Sequence, residues 1–268
     1  MGESTPAGLD TSTMHPARRY NYWLGGKDHF AADRASGDLI EKFHPTIRTT
    51  ARENRAFLRR AVHHLAADAG IDQFLDIGTG LPTADNTHEV AQRANPDARV
   101  VYVDNDPMVM AHARALLDGA GATCYIEQDL RNPGAILADP QLTDTIDLSR
   151  PVGLTLVAVL HFIPTHQQAR DIVGELLAAL APGSHLILTH GTTDFATPHE
   201  RAYAEQLLRG GPADAYPRSH DQIAEYFTGL HLIEPGLVPV SDWRPNPDAP
   251  RPSAHDVALY GGVARLGD

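Results

Sequence analysis

Two glycines one residue apart follow an acid in Asp76-Ile77-Gly78-Thr79-Gly80, at the end of the apolar run Phe74-Leu75. Glycine does two things at such a place: it accepts positive φ, and it lets a ligand approach the backbone with no Cβ in the way. Further acids stand at Asp104 and Asp129, each just beyond a short β-prone run, and His161 and His190 follow two more such runs. A carboxylate about 20 residues or slightly more beyond a glycine turn is placed to accept hydrogen bonds from ribose hydroxyls. An imidazole at the C-terminal end of a strand can take a proton near neutral pH from a group that must lose one. Each feature also has a plain reading. G-x-G occurs in ordinary turns, and either histidine could simply hydrogen-bond a loop; position favours that plain role for His190 more than for His161.

The elements that would position these groups follow from the pattern of apolar residues. Strands are expected at residues 73–77, 99–103, 123–127, 154–160 and 184–189, and the almost wholly apolar 154–160 suits a central parallel strand. Helices are expected over residues 46–69, from a capping-box-like Asn86-Thr87-His88-Glu89 through residue 92 or 93, over 108–117 and over 167–180. This alternation predicts an α/β fold: a doubly wound, mostly parallel sheet, with ligands beyond the C-terminal ends of its strands. Near the end, a helix at about 222–227 and the stretch Leu230–Pro235 precede two more strands, 237–240 and 256–260. These flank the proline-rich 243–252 and read as an antiparallel pair at the sheet edge, for seven strands in all.

Residues 1–15 are small and polar and read as a tail without fixed structure. Residues 16–70 read as a helical extension, and 71–268 as the main domain. Within the extension, Tyr20, Tyr22 and Trp23 are costly to expose together, and Gly25-Gly26 allows the backbone to turn closely beside something. The segment suits a lid over the cleft, with packing on the outer helices as the alternative.

Composition narrows the rest. A net charge of -12 argues against an electrostatically driven nucleic-acid binder. Cys124 is the single cysteine, so no intramolecular disulfide and no cysteine-rich zinc site can form. No apolar run nears the roughly 20 residues of a membrane span, and the N-terminus lacks a signal-peptide core; a cytoplasmic protein is expected. The 15 histidines are scattered, and the adjacent His63-His64 cannot present both rings on one helix face, so no metal site is expected.

The order of glycine turn, acid, acid and His161-Phe162 resembles that of class I S-adenosylmethionine-dependent methyltransferases. Ala17-Arg-Arg-Tyr-Asn-Tyr-Trp-Leu-Gly-Gly-Lys-Asp28 together with Asp76-Ile-Gly-Thr-Gly-Leu-Pro-Thr83 resembles the actinomycete S-adenosyl methyltransferase family, over about residues 16–266. The resemblance implies S-adenosylmethionine as cofactor, a Rossmann-like fold and an edge antiparallel pair. It implies a site of Asp76, Gly78, Thr79, Gly80, Asp104, Asn105, Asp129, Leu130, Leu160 and His161, closed over by Tyr20, Gly25 and Gly26. On it, Asp76 serves the cofactor's ammonium group, Asp104 its ribose and Asp129 its adenine amino group. His161 is the candidate base. Pro82 stands where such enzymes often carry a third glycine, and Thr83 where a nicotinamide fingerprint would need one. The acidic composition and aromatic lid favour a small-molecule methyl acceptor. Its identity, whether O, N or C is methylated, the oligomeric state, and a non-catalytic cofactor-binding regulator as alternative all stay open at this level.

Overall fold

The computed structural model describes residues 10–117, 122–209 and 214–267. Three helices, α1 (Pro16–Trp23), α2 (Ala31–Phe43) and α3 (Ile47–Ala67), precede β1 (Gln73–Ile77). Then follow α4 (Thr87–Ala94), β2 (Arg99–Asp104), α5 (Pro107–Leu117) and β3 (Thr123–Glu127). Two short helices, α6 (Pro133–Leu137) and α7 (Pro140–Thr145), lead to β4 (Gly153–Val157). The chain continues through α8 (His166–Ala178), β5 (His185–Gly191), α9 (Pro198–Arg209), α10 (His220–Ala224) and β6 (Leu230–Leu232). It closes with β7 (Val238–Pro239), α11 (Ala254–Val257) and β8 (Leu259–Leu266).

The sheet order is β3-β2-β1-β4-β5-β8-β6, with the two-residue β7 paired to β8 beside this path. The first five strands are parallel, and β8 runs antiparallel to β5 and β6. This is the class I methyltransferase fold with helices ahead of it. Alternation along the strands sorts the core into two faces. Leu75, Ile77, Val101, Val103, Leu154 and Leu156 pack with Ala169, Ile172, Val173 and Leu176 of α8. Phe74, Val100, Tyr102 and Ile187 pack instead with Phe57, Leu58, Ala61 and Leu65 of α3. Helix α3 is therefore packed as a layer against this face of the sheet.

Several expectations change. Strand β4 ends at Val157, three residues early, because Ala158 adopts φ 54° and Leu160–Phe162 forms a 3-10 turn. The last strand begins at Leu259 rather than 256, since Ser253 and Asp256 cap the short α11 and Ala258 ends it at φ 45°. It lies inside the sheet between β5 and β6, with β6 at the edge. His190 falls within β5, not beyond it. Residues 1–9 of the expected tail lie outside the described residues, but 10–15 are tied down. Arg18 Nη1 donates to Asp10 O at 3.0 Å, and His15 N donates to Asp33 Oδ1 at 2.9 Å. Helices α6 and α7 were not anticipated, although each begins at a proline capped by Asn132 or Asp139.

Candidate cofactor cleft

From β1 the chain crosses to β2 on one side, and after β3 it returns to β4 on the other. The ends of β1 and β4 therefore part, and a crevice opens between them. A cavity of about 750 Å³ occupies it, walled by the loops after β1, β2, β3 and β4. Gly78 and Gly80 hold φ of 75° and 67°. A Cβ at Gly78 would lie 2.4 Å from Val159 Cγ2, so the β1 turn fits against the β4 loop only as glycine. At Gly80 the nearest atom to such a Cβ would be Ala17 Cβ at 4.0 Å, which leaves its backbone open to close approach.

Hydrogen bonds tie this turn to the tip of β2. Gly80 N donates to Asp104 Oδ2 at 2.8 Å, and Asp106 N donates to Asp104 Oδ1 at 2.9 Å. Burial pushes the Asp104 carboxyl up, while the amides of Asp106 and Gly80 pull it back. Thr87 Oγ1 and Thr155 Oγ1 donate to the two oxygens of Asp76 at 2.6 and 2.5 Å, and no backbone amide of the glycine turn does. Burial raises its pKa too. Asp129 is gripped by the guanidinium of Arg131, which holds its carboxyl down, and Asn105 Nδ2 stands 3.4 Å from Asp129 Oδ2.

Asp76, Gly78, Thr79, Gly80, Asp104, Asn105, Asp129, Leu130, His161 and Tyr20 all line the cavity. Three expected residues do not. Leu160 is fully buried in the core facing α8, because the 3-10 turn points its side chain inward. Gly25 and Gly26 turn the chain from α1 towards α2, with Gly25 N on Tyr22 O and Gly26 N on Asn21 O. Gly26 is needed because a Cβ there would strike the Asn21 side chain at 2.3 Å. Gly26 serves packing and Gly25 the turn, through its φ of 80°, both off the cavity wall.

Enclosure holds the imidazole of His161 down to about 4, helped by the positive charges of Arg19 and Arg218. It is neutral at pH 7 and takes up a proton reluctantly. His190 has no place on the wall. Its Nδ1 meets Gly191 O at 2.8 Å and its Nε2 meets Arg218 Nη1 at 2.7 Å. Arg218 also donates to Leu160 O and Ile163 O, so this pair braces the turn that carries His161.

Helix α1 forms the roof: Ala17, Arg19, Tyr20 and Trp23 line the cavity from above the strand ends. Tyr20 OH donates to Ala51 O at 2.9 Å and accepts from Asn54 Nδ2 at 3.0 Å. Asn54 Oδ1 accepts from Thr189 Oγ1 at 2.7 Å, which accepts from Ala158 N at 2.9 Å. A continuous polar chain thus joins the roof to the end of β4. Arg18 Nε and His15 Nδ1 pair with Asp106 Oδ2 at 3.2 and 3.0 Å, anchoring the roof to the loop after β2.

Residues the sequence reading did not single out complete the wall. Phe43, His44, Tyr203, Glu200 and His255 come from three distant parts of the chain. Only Glu200 carried a local sign, Thr197-Pro-His-Glu200, which reads as a helix cap rather than a site. Among the described residues, no group of three or more His, Cys, Asp or Glu is placed to hold a metal ion, and no helix is long and apolar enough to cross a membrane.

A protein-family model described as S-adenosyl methyltransferase matches residues 2–267. A DUF574-family protein from Streptomyces avermitilis is 44% identical with a TM-score of 0.89, over 96% of this chain and 99% of that one. A solved structure from Thermobifida fusca is 42% identical with a TM-score of 0.92, over the full length of both chains. The N-methyltransferase NodS from Bradyrhizobium japonicum, solved with S-adenosyl-L-homocysteine, shares the fold at 15% identity and a TM-score of 0.51, over 82% of this chain and 88% of that one. No curated protein matches.

Proposed function

This chain belongs to the S-adenosyl methyltransferase family, and from that premise we propose that its cavity binds S-adenosylmethionine beside a small-molecule acceptor and catalyses methyl transfer. The observation that carries this reading is the bond from Gly80 N to Asp104 Oδ2. It sets a backbone open to close approach and a ribose-accepting carboxylate on one edge of one cavity. The residues present fit the cofactor. Asp104 keeps lone pairs beyond those given to two amides, and the open side of Gly80 leaves room for a chain passing the backbone. S-adenosylmethionine, when bound, supplies a methyl group already activated on a sulfonium.

The residues then bind, orient and exclude water. Asp104 receives ribose hydroxyls, and Asp129 with Asn105 offers polar atoms to the adenine end. Asp76, oriented by Thr87 and Thr155, presents a carboxylate to the cofactor's ammonium group, whose charge would draw the buried acid to its ionised form. His161 contributes a neutral imidazole to the wall. The roof built on Tyr20 and Trp23 keeps water from the reacting atoms.

Calorimetry with S-adenosylhomocysteine tests this reading, and wild-type protein that binds none would overturn it. Asp104→Asn keeps an oxygen for one loop amide but removes the charge and an acceptor. It should weaken S-adenosylhomocysteine by about tenfold, near 1.4 kcal/mol; full affinity in a folded variant would remove Asp104 from the site. The roof has its own test. Amide exchange across residues 18–27 should slow when S-adenosylhomocysteine is added, because the ligand packs under α1. Exchange there that ignores ligand would reduce α1 to ordinary packing.

A further inference from the structure

The aromatic part of the same cavity wall carries information about the acceptor. Four aromatic rings, Trp23, Phe43, Phe162 and Tyr203, reach its wall from α1, α2, the turn after β4 and α9. Phe43 and Tyr203 stack with centroids 3.9 Å apart and planes inclined by 21°, joining α2 to α9. Flat apolar walls of this kind suit a planar ring.

A polar pair interrupts that wall. His255 Nε2 lies 3.1 Å from Glu200 Oε2 and 3.3 Å from Oε1. The amide and hydroxyl of Thr197, and then His255, hold the Glu200 carboxyl down to about 2. Glu200 is therefore an ionised, acceptor-only group, and the nitrogen facing it must carry the hydrogen. In the neutral imidazole that leaves the lone pair on Nδ1, which bonds no protein group among the described residues. A histidine oriented by a carboxylate, with its other nitrogen free, is arranged to receive a proton. An amine nitrogen that is already neutral presents a lone pair and needs no such help. A hydroxyl does, since its oxygen reacts far better once the proton is taken.

Resting on the cofactor reading above, we infer that the acceptor is a planar aromatic compound bearing a hydroxyl group, whose proton passes to His255 Nδ1 with Glu200 as positioning residue. The acceptor's oxygen gains the bond to the methyl carbon as its O–H bond breaks. The proton goes to His255, and the carbon–sulfur electron pair returns to sulfur.

The test uses full-length protein saturated with S-adenosylhomocysteine and the probe pair 2-naphthol and 2-methoxynaphthalene, in which a methyl group replaces the hydroxyl hydrogen and no donor remains. Calorimetry should show 2-naphthol binding up to about tenfold tighter, the upper end of what one hydrogen bond to a waiting acceptor is worth. His255→Phe should cut that preference below about threefold while S-adenosylhomocysteine affinity and melting temperature hold, since the ring is partly exposed and outside the core. Nitrogen-15 NMR should find His255 as the Nε2–H tautomer, and Glu200→Gln, which keeps an oxygen for the Thr197 amide, should abolish that bias. A purely structural pair would show neither the probe preference nor its loss. Equal binding of the probes, binding of neither, a preference surviving His255→Phe, or the Nδ1–H tautomer would each overturn the inference. If S-adenosylhomocysteine itself fails to bind, the cofactor reading falls; if it binds and the probe preference is missing, only the acceptor inference falls.

Discussion

Lowering the pH from 7 to 5 should weaken the fold by about 3 kcal/mol, a fall of about 10 °C in melting temperature. Burial holds His161 and His185 down to about 4 and holds His190 well below its ordinary value, with the charges of neighbouring arginines and histidines adding to it. In the unfolded chain each returns to about 6.5. Below that value the unfolded state binds protons that the folded state refuses, so stability rises with pH across this window. It is fully present above about 6.5 and is lost progressively as pH falls towards 4. One proton refused is worth up to about 1.4 kcal/mol per pH unit. Asp76 and Asp104 work the other way: burial raises their folded values, so their window opens near 4 and runs upward into this one, which brings the net loss down to about 3 kcal/mol from the larger sum the three histidines would give alone. Thermal melts between pH 7 and 5 check the slope. His185→Gln, at the start of β5 and away from the cavity, should remove part of it. A melting temperature that ignores pH in this range would mean that these imidazoles protonate freely in the folded protein.

Gly78→Ala should destabilise the protein by about 2–5 kcal/mol and abolish measurable S-adenosylhomocysteine binding. Two costs add. An alanine at φ 75° carries left-handed strain of about 1–2 kcal/mol. Its Cβ would also stand 2.4 Å from Val159 Cγ2, and overpacking of this sort costs about 1–3 kcal/mol. Relief requires Val159 to move, which displaces the loop after β4 from the loop after β1 and deforms the cavity between them. Gly80→Ala is the comparison: it bears similar strain at φ 67° but meets nothing closer than 4.0 Å, so about 1–2 kcal/mol is expected. Urea denaturation of both variants separates strain from contact. Equal losses for the two would show that Val159 yields freely and that the β1–β4 contact does not shape the cleft.

Much of this architecture was legible along the chain. The five parallel strands are apolar runs of ordinary length, and alternation with amphipathic helices leaves little choice but a doubly wound sheet. The glycine turn and the acids at 104 and 129 were readable for the same reason: each sits a few residues from the strand that positions it, so spacing in sequence is spacing in space. Errors gathered where that link fails. Strand β4 is shorter than its apolar run because residues such as Val159 and Leu160 look alike in a strand and in a buried turn, and Ala158 at φ 54° separates them. The double glycine at 25–26 suggests close approach to a ligand, yet Gly26 approaches Asn21, five residues back, and Gly25 meets nothing within 4 Å and serves the turn through its φ of 80°.

What the sequence determined by itself is the set of local decisions: which segments form strands, where the backbone must bend through glycine, and which acids stand at strand ends. These depend on neighbours within a few residues, whose propensities and burial pattern are written consecutively. What tertiary structure alone decided is which distant side chains share a wall. Phe43, Tyr203, Glu200 and His255 lie far apart in the chain and carry no common motif, and they meet because α2, α9 and α11 pack over the same strand ends. The surroundings of His161 were decided in the same way. A histidine after a strand reads as a base, but enclosure beneath the roof beside Arg19 and Arg218 makes its imidazole hard to protonate. That cost comes from desolvation and from charges more than 50 residues away, and neither leaves a trace in the residues around it.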